Sequence, residues 1–342
     1  MKALAVLWLM SGTLLPGCYY GHLAVGQARL LLASRSVESI LADPETPAEL
    51  ATRLEHVQEV VAFAADLGLS VDGQYRSYVE WPGDQVVTTL VATLPGQITP
   101  SDFWFPLIGH APYKGFFDPE RAAREAEALA NDGYDTCLVP VIAYSTLGWF
   151  EDPLTGPMVR QSLPRLAETV LHELVHATVF VASQPDFNEG LATFIGQEAA
   201  VRFAARQEPD DDGEARVRTR VREDREVAAV LERFRTRITE LYEDAPAGSD
   251  LSETRATLEA ATRAELGALP LTTRDPARLA EAVWLNDACQ ALSGTYQADL
   301  ARWSAVLEAT GGDLPALVER VREAADDHDP RAAILDPEPA SP

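Results

Sequence analysis

The stretch TVLHELVHATVFV (residues 169–181) places two histidines four residues apart, with a glutamate directly after the first, in an otherwise almost entirely apolar segment. Residues four apart lie on the same face of an α-helix, one turn from each other, so the two imidazoles can converge on one metal ion. In a buried helix, uncompensated polar side chains would cost several kcal/mol of desolvation, which a bound metal relieves. The stretch therefore predicts a buried helix in which His172, Glu173 and His176 form part of a metal centre.

The spacing His-Glu-x-x-His on a helix is the motif of zinc metallopeptidases, in which the glutamate is the general base. His172 and His176 are accordingly predicted zinc ligands, and Glu173 is the group that takes a proton from the zinc-activated water. A single histidine in a helix is more often structural, but the chain has only six histidines and two of them fall at this spacing. The glutamate favours catalysis, because a purely structural site has no need of it.

Catalytic zinc needs a third protein ligand and keeps one position open for water. A further histidine at the spacing that would extend the motif is absent from the sequence. A second helix is predicted from about Asn188, and in an antiparallel pair its first turn lies near the end of the first helix. Glu189, with twelve residues between it and His176, and Glu198 further along are the two candidates for the third ligand.

Size and charge bound the possible functions. The chain has 342 residues, 46% of them hydrophobic, which is enough for one large globular domain or two small ones. Its formal net charge of −25 argues against nucleic-acid binding through a basic surface, because a phosphate backbone would be repelled. The acidic runs are predicted to be solvated loops.

The first eighteen residues, MKALAVLWLMSGTLLPGC, combine one lysine, a short apolar run and small residues before a cysteine. The apolar run is too short to span a bilayer, so residues 1–17 are predicted to be a secretory signal peptide. The end of this segment resembles the lipobox of bacterial lipoproteins, which implies lipid attachment at Cys18 and a membrane anchor. Tyr19 in place of aspartate implies the outer membrane, with the protein in the cell envelope facing the periplasm. The alternative is an ordinary signal peptide with a chance cysteine.

Two further cysteines, Cys137 and Cys289, remain in the exported chain. In an oxidising compartment they can form a disulfide. They can equally be two separate buried thiols, because free cysteine is a common core residue. The sequence leaves both alternatives open.

Hydrophobic periodicity divides the chain into segments of different character. Residues 18–70 are predicted to be helical and to form a helical hairpin. Residues 71–160 are predicted to form a substrate-side α/β subdomain with a small, mostly antiparallel sheet. Residues 161–327 are predicted to be the helical subdomain that carries the metal centre, and the tail, 328–342, is predicted to be disordered. Together these segments predict an α+β fold.

Local patterns predict individual elements within the segments. YRSYVEW and QVVTTLVATL, separated by Pro82-Gly83-Asp84, predict a β-hairpin. Asp118 is the predicted cap of a short helix, TCLVPVIAYSTL predicts a buried strand, and Ser162 begins the helix of the metal motif. Further helices are predicted over 23–41, 48–67, 214–243, 251–266, 275–308 and 313–326.

Five stretches, together with the metal motif, resemble the bacterial family of predicted lipoprotein aminopeptidases. They are YYGHLAVGQARLLLASRSVESILADPETP (19–47), HVQEVVAFAADLGL (56–69), YRSYVEW (75–81), FPLIGHAPYKGFF (105–117) and AYSTLGWFEDP (143–153). The resemblance runs from about Cys18 to Gly196. Asn-Glu-Gly-Leu-Ala around Glu189 is similar to the second motif of gluzincin aminopeptidases, whose glutamate binds zinc. The resemblance thus implies a gluzincin-like zinc aminopeptidase, with one Zn²⁺ per chain held by Glu189 and the two histidines.

The same resemblance suggests roles for residues that precede the metal helix. Gluzincins often place a tyrosine or histidine against the developing oxyanion, and Tyr144 is the candidate here. In an aminopeptidase, Glu151 or Asp152 would pair with the free ammonium of the peptide substrate. The alternatives are a zinc endopeptidase and an envelope lipoprotein whose zinc site serves binding or assembly. The sequence does not define the oligomeric state.

Overall fold

The computed structural model describes residues 17–105, 109–143, 152–207, 212–246, 248–325 and 327–336, the side chains of residues 17 and 18 excepted. Within these residues helices predominate and the strands form small sheets, so the predicted α+β class is confirmed. Residues 1–16 of the predicted signal peptide, the side chain of Cys18, Tyr144 and Glu151 lie outside the described residues. Among the helices that are described, none is both long enough and apolar enough to cross a membrane.

The helices are numbered in order along the described part of the chain. Those predicted over 48–67, 214–243, 251–266 and 313–326 are present close to the predicted bounds. The helices are α1 (Gly17–Ala33), α2 (Val37–Leu41), α3 (Ala48–Asp66), α4 (Pro119–Asn131), α5 (Gly156–Val159), α6 (Leu163–Thr178), α7 (Pro185–Gln207), α8 (Gly213–Asp244), α9 (Ser252–Gly267), α10 (Pro276–Ala282), α11 (Asp287–Tyr296), α12 (Leu300–Ala309), α13 (Leu314–Ala324) and α14 (Pro330–Leu335).

The strands of the described residues form three small sheets. They are β1 (Arg35–Ser36), β2 (Ser77–Val79), β3 (Val87–Thr93), β4 (Phe103–Phe105), β5 (Gly109–Ala111), β6 (Lys114–Phe116), β7 (Asp135–Val141) and β8 (Leu154–Thr155). In one sheet β2 lies between antiparallel β1 and parallel β8. In another, β3 is central and antiparallel to both β6 and β7, with Leu90 opposite Leu138. The third pairs β4 with β5.

The predicted hairpin at Pro82-Gly83-Asp84 is wrong. β2 pairs with β1 and β8, whereas β3, which follows the turn, belongs to another sheet. Gly83 has a φ of 87°, a backbone conformation that favours glycine, so a sharp bend does occur there. Turn residues determine where the chain changes direction, but the partners of a three-residue strand such as β2 come from distant segments.

The predicted helix over 275–308 is three helices, α10, α11 and α12. Asn286 caps α11, because its side-chain oxygen accepts a hydrogen bond from the amide of Cys289 at 3.0 Å. Asp299 has a φ of 57° and separates α11 from α12, since a left-handed residue cannot continue a right-handed helix.

The tail that was predicted to be disordered contains the helix α14. The Asp329 carboxylate accepts a hydrogen bond from the amide of Ala332 at 3.0 Å and caps the helix at its start. Ile334 and Leu335 are buried in the main hydrophobic core. The prediction of disorder is wrong for these residues. The prolines of the tail suggested disorder, but burial of Ile334 and Leu335 in the core stabilises a short helix.

The two N-terminal helices pack on different elements. The Tyr19 hydroxyl in α1 donates a hydrogen bond to the carbonyl of Gly115 in β6 at 2.9 Å. Helix α3 lies instead along α6, the helix of the metal motif. The predicted helical hairpin is therefore two helices that mainly contact a sheet and the metal helix, rather than each other.

The main hydrophobic core surrounds α6 and includes side chains of α3, α7, α12 and α13. Leu166, Leu171 and Leu174 of α6 are completely buried. Cys137 in β7 and Cys289 in α11 form a disulfide across 152 residues of sequence, so the pairing that the sequence left open does occur. This bond fastens the C-terminal helices to the sheet.

Candidate metal centre

Helix α6 carries the His-Glu-x-x-His motif, as predicted. Ser162 is its N-cap and a proline lies in its first turn. The leucines of α6 anchor it in the core, while His172 and His176 keep 17% and 19% of their side chains exposed. At the end of the helix, the Thr178 hydroxyl donates a hydrogen bond to the carbonyl of Leu174 at 2.6 Å. The core thus holds the helix in place, and the two imidazoles remain accessible.

The turn between α6 and α7 is held by Asn188. Its side-chain oxygen accepts a hydrogen bond from the amide of Val181 at 2.9 Å, and its Nδ2 donates one to the carbonyl of Val181 at 2.8 Å. Asn188 is buried, so these bonds satisfy an amide that would otherwise be costly to bury. Helix α7 begins at Pro185, slightly earlier than predicted, and packs along α6. The pinned turn places the next residue, Glu189, beside the two histidines.

Three ligand atoms converge where α6 meets α7. The Nε2 atoms of His172 and His176 are 3.2 Å apart, and Glu189 Oε2 lies 3.3 Å from the first and 3.4 Å from the second. Zinc binds nitrogen and oxygen ligands at about 2.0–2.2 Å, and the corners of a tetrahedron of that size are about 3.3–3.6 Å apart. The triangle of protein atoms therefore has nearly the dimensions of three corners of a zinc site, with the fourth corner left for water.

The buried oxygen of this triangle, Glu189 Oε2, has no hydrogen-bond donor among the described residues. Both histidine nitrogens lie close to it, but neither is aligned to donate a hydrogen bond. A buried carboxylate oxygen without a donor is costly, and a cation between the three atoms would satisfy it. Two imidazoles and one carboxylate are also a donor set that zinc accepts. The residues present therefore fit a zinc ion.

Glu198, the other candidate for the third ligand, is engaged elsewhere. Its carboxylate lies 2.7 Å from Arg202 Nη1 and 3.0 Å from Arg225 Nη2, in ion pairs of α7 and α8. Among the described residues, the group able to hold a metal contains Glu189 and not Glu198. Of the two glutamates that the spacing left open, the structure brings Glu189 to the histidines.

The carboxylates and imidazoles of the candidate centre shift one another's pKa values. Burial raises the pKa of Glu173, although His172 and His176 act in the opposite direction. Burial would also raise the pKa of Glu189, but contacts with the two histidines outweigh it and lower this pKa to about 2. Burial lowers the pKa of His176, yet Glu189 and Glu173 together raise it above its ordinary value. Glu173 thus has the higher basicity that suits a proton acceptor, while Glu189 stays ionised.

Two glycines allow α7 to approach its neighbours closely. A Cβ at Gly196 would lie 3.1 Å from the backbone nitrogen of His172. A Cβ at Gly190 would lie 2.4 Å from the carbonyl oxygen of Ala298, in the segment between α11 and α12. Ordinary contacts between non-bonded carbon atoms are about 3.5–4.0 Å. Gly196 therefore determines the spacing of α6 and α7 at a metal histidine, and Gly190 determines how the start of α7 meets the C-terminal helices.

Tyr296, the last residue of α11, lies over the metal centre and was not predicted. Its ring stacks on that of His172, with centroids 6.2 Å apart and planes 20° from parallel. Tyr296 is 42% exposed overall, but loss of solvent around its hydroxyl, followed by the charges of Glu189 and Glu173, raises the pKa of that hydroxyl. No local pattern in the sequence marks this tyrosine. Its link to the sheet through Cys289, in the same helix, was the available hint.

Tyr75, Tyr113 and Asp152 complete the surroundings. Tyr75 is buried, has a φ of 57°, and donates its backbone amide to the carbonyl of Asp152 at 3.1 Å. Burial, then Glu173, then Asp152 raise the pKa of Tyr75, and burial and Glu189 raise that of Tyr113. Of the two residues predicted to bind a substrate ammonium, Asp152 is described: its backbone contacts Tyr75, and its charge raises the pKa of Glu173. The other, like the tyrosine predicted for the oxyanion, falls in the undescribed segment 144–151.

Neither the curated proteins nor the solved structures contain a match to this chain. A protein-family model does match, over residues 18–335, and its description is "Putative aminopeptidase". The match includes the three sheets, the helices α6 and α7 of the candidate centre, and the C-terminal helices through α14. The chain therefore belongs to this "Putative aminopeptidase" family, whose description is that of a peptidase.

Proposed function

We propose that this protein is a zinc-dependent metallopeptidase, specifically an aminopeptidase, that hydrolyses peptides in the cell envelope. The proposal is carried by the triangle of His172, His176 and Glu189, whose dimensions fit three corners of a tetrahedral zinc site. The unsatisfied oxygen of Glu189 supports a cation at its centre. Membership of a peptidase family supports peptide hydrolysis as the reaction.

Glu173 is the proposed general base. Zinc held by the triad would acidify the attacking water and polarise the peptide carbonyl. Glu173 accepts a proton from that water, and its raised pKa brings it closer to the range in which a carboxylate transfers protons well. When the bond between the carbonyl carbon and the nitrogen breaks, Glu173 delivers the proton to the leaving amine. The products are a carboxylate and a free amine.

Tyr296 is the described candidate for stabilising the negative charge that develops on the carbonyl oxygen. Its ring packs on His172, and the charges of Glu189 and Glu173 act on its hydroxyl. A phenol is a hydrogen-bond donor at neutral pH, and a donor aimed at a developing oxyanion lowers the barrier. Tyr144 stays a prediction for the same role, and it lies outside the described residues.

An aminopeptidase must also hold the free ammonium of its substrate. Asp152 is the proposed group, because it is acidic and its charge acts on Glu173, the proposed general base. An endopeptidase has no need of such a group. The substrate would then lie with its amino terminus toward the segment before β8 and its scissile carbonyl at the metal.

The envelope location is proposed from the N-terminal sequence. Residues 1–17 have the features of a signal peptide, and Cys18 is the proposed site of lipid attachment. The lipid would hold the enzyme at the outer membrane on the periplasmic side.

The test uses the purified, membrane-extracted protein, its metal content, and two reporters that differ only in a free or a blocked amino terminus. We expect about one zinc per chain and cleavage of the free reporter. Glu173→Gln should retain zinc and lose activity by ~100-fold or more. Glu55→Gln, the same change on the exposed side of α3, is the control and should match the wild type.

The other outcomes separate the alternatives. Cleavage of the blocked reporter alone would identify an endopeptidase. A zinc-loaded protein that cleaves neither reporter nor any member of a peptide library would favour the binding or assembly factor. Failure of the wild type to bind zinc would overturn the proposal as a whole.

A further inference from the structure

Helix α1 is attached to the protein by its polar and aromatic side. The Tyr19 hydroxyl donates a hydrogen bond to the carbonyl of Gly115, and His22 Nε2 accepts one from the amide of Phe117 at 3.0 Å. Gly26 lies directly against the Phe117 ring, since a Cβ there would be 2.1 Å from a ring carbon. These contacts along the helix fix both its position and its rotation about its own axis.

The opposite side of α1 is exposed and apolar. Val25 is 70% exposed, Leu31 46% and Leu32 88%. Arg29, at the edge of this side, is drawn over the Trp81 ring, 4.9 Å from its centroid. We call the exposed apolar side the outward face; it consists of Gly21, Ala24, Val25, Ala28, Leu31 and Leu32.

This arrangement is the reverse of an ordinary surface helix, which buries its apolar stripe and presents charged residues to water. Helix α3 follows the ordinary pattern, because it buries Leu54 and Val57 and exposes Glu55 and Glu59. The outward face has no charged residue, in a chain whose formal net charge is −25. A contiguous exposed apolar surface of this kind indicates a binding partner.

The position of α1 in the chain indicates which partner this is. The helix begins at Gly17, so Cys18, the proposed lipid attachment site, lies in its first turn. A lipid chain there inserts into the bilayer and brings the start of α1 to the membrane surface. The contacts of Tyr19, His22 and Gly26 hold one side of α1 against the protein, so α1 would lie along the membrane surface with its other side toward the lipid. An uncharged face on an acidic protein suits zwitterionic lipid, because anionic lipid would repel the rest of the molecule.

We propose that the outward face of α1 lies in the headgroup region of the bilayer that holds the lipid of Cys18. One lipid group tethers a protein but leaves it free to rotate. A rigidly docked helix that inserts its apolar face removes this freedom and orients the whole enzyme toward the membrane. This inference rests on the lipid attachment in the proposed function, and not on the zinc chemistry.

The test places an environment-sensitive fluorophore on the outward face of the lipidated protein. Cys137 and Cys289 are paired and Cys18 carries lipid, so Leu32→Cys provides a single thiol for labelling. The protein is reconstituted into phosphatidylcholine vesicles, with and without nitroxide-labelled lipid. Val25→Cys is a second position on the same face, and Glu55→Cys on α3 is the control. Mass spectrometry confirms the lipid on Cys18, and an unchanged far-ultraviolet circular dichroism spectrum confirms that each variant is folded.

We expect the labels at positions 25 and 32 to shift to shorter emission wavelengths and to be quenched by the nitroxide lipid, and the label at 55 to do neither. Labels at 25 and 32 that stay as water-exposed as the one at 55, on protein with verified lipidation, would overturn the inference. So would the same shift without vesicles, because a second copy would then cover the face. Absence of lipid on Cys18 would remove the anchor proposed above and this inference with it, whatever the peptidase assay shows.

Discussion

Replacing Gly196 with alanine tests whether the close approach of α7 to α6 positions the metal ligands. The new Cβ would lie 3.1 Å from the backbone nitrogen of His172 and 3.2 Å from its Cα and Cβ. Ordinary contacts are about 3.5–4.0 Å, so the two helices must separate by a few tenths of an ångström at this point. His172 is on one of these helices and Glu189 is on the other, so the separation opens the triangle of ligands.

Two opposing terms determine the effect on stability. Alanine in place of glycine stabilises a helix by ~1 kcal/mol, whereas overpacking a close contact costs ~1–3 kcal/mol. We therefore expect a net loss of ~0–2 kcal/mol in the free energy of unfolding. The effect on zinc affinity should be larger than the effect on the free energy of unfolding, because zinc–ligand distances tolerate only about ±0.2 Å. A loss of ~10- to 100-fold in zinc affinity is expected, as for mutation of groups that support metal ligands.

Zinc affinity is measured by competition with a chromophoric chelator, and the free energy of unfolding by urea denaturation. Gly21→Ala is the matched control, because it also lies within a helix and its Cβ would meet nothing within 4 Å. The control should be more stable by ~0.5–1 kcal/mol, with unchanged zinc affinity. If Gly196→Ala is equally stabilised and binds zinc as tightly as the wild type, the spacing of the two helices does not position the ligands and the reasoning is refuted.

Three further perturbations test other parts of the structure. Tyr296→Phe should lower kcat by ~100-fold or more with KM and zinc content nearly unchanged, because it removes only an oxyanion donor; a wild-type kcat would exclude this role. Glu223 is completely buried and accepts hydrogen bonds from the amides and hydroxyls of Thr272 and Thr273. Burial alone would raise its pKa, but these hydrogen bonds outweigh burial and lower the pKa to about 2. Glu223→Gln should therefore destabilise the protein by ~2–3 kcal/mol at pH 7. Because folding lowers this pKa, the stabilisation is present above the unfolded pKa of about 4.5 and is lost as the pH falls toward 2. The urea midpoints of variant and wild type should therefore converge over that pH range. A difference that stays constant would contradict the assignment. Replacing both Cys137 and Cys289 with alanine should cost ~2–4 kcal/mol in urea denaturation under oxidising conditions, and no change would show that the disulfide does not form in the folded protein.

The cluster of His172, His176 and Glu189 is the part of the structure that the sequence predicts best, because the information that brings these residues together is local. His172, Glu173 and His176 share one helix, and a helix places residues four apart on one face whatever surrounds it. Glu189 follows after a single short turn, so few alternatives exist for where it can lie. The turn itself depends on Asn188, whose two hydrogen bonds to Val181 could not be read from the sequence although the residue was part of the motif.

The errors arise where distant segments decide the outcome. Strand β2 has three residues, and its partners β1 and β8 lie far away on either side in sequence, so a turn after it does not reveal which strands pair. The helical pattern over 275–308 continues through Asn286 and Asp299, but a cap and a left-handed residue break it into three. Apolar spacing records which residues are buried, and it does not record where the axis of a helix changes direction.

Tyr296 reaches the metal centre because α11 is held at its other end. The side chain of Asn286 donates a hydrogen bond to the carbonyl of Thr136 in β7 at 2.8 Å, and the disulfide joins Cys289 to the same strand. With its start fixed to the sheet, α11 projects its last residue over the metal helix. The two cysteines that join β7 and α11 are 152 residues apart in sequence, so no local stretch of sequence shows that Tyr296 lies there.

The C-terminal helices therefore belong to the site and not only to the core. Gly190 directly follows the metal glutamate and meets the backbone of Ala298, two residues after Tyr296. The carboxylate proposed to complete the zinc site and the tyrosine proposed for the oxyanion are thus positioned by the same contact, between α7 and the segment that follows α11. A substitution at Gly190 must displace one of them relative to the other, because a carbonyl 2.4 Å from the new Cβ cannot stay where it is. Loss of the disulfide, by contrast, removes one of the two attachments of α11 to β7 and leaves the contact between Gly190 and Ala298 in place. It should therefore weaken turnover before it weakens zinc binding. The order of these two losses distinguishes a C-terminal half that serves catalysis from one that only fills the core.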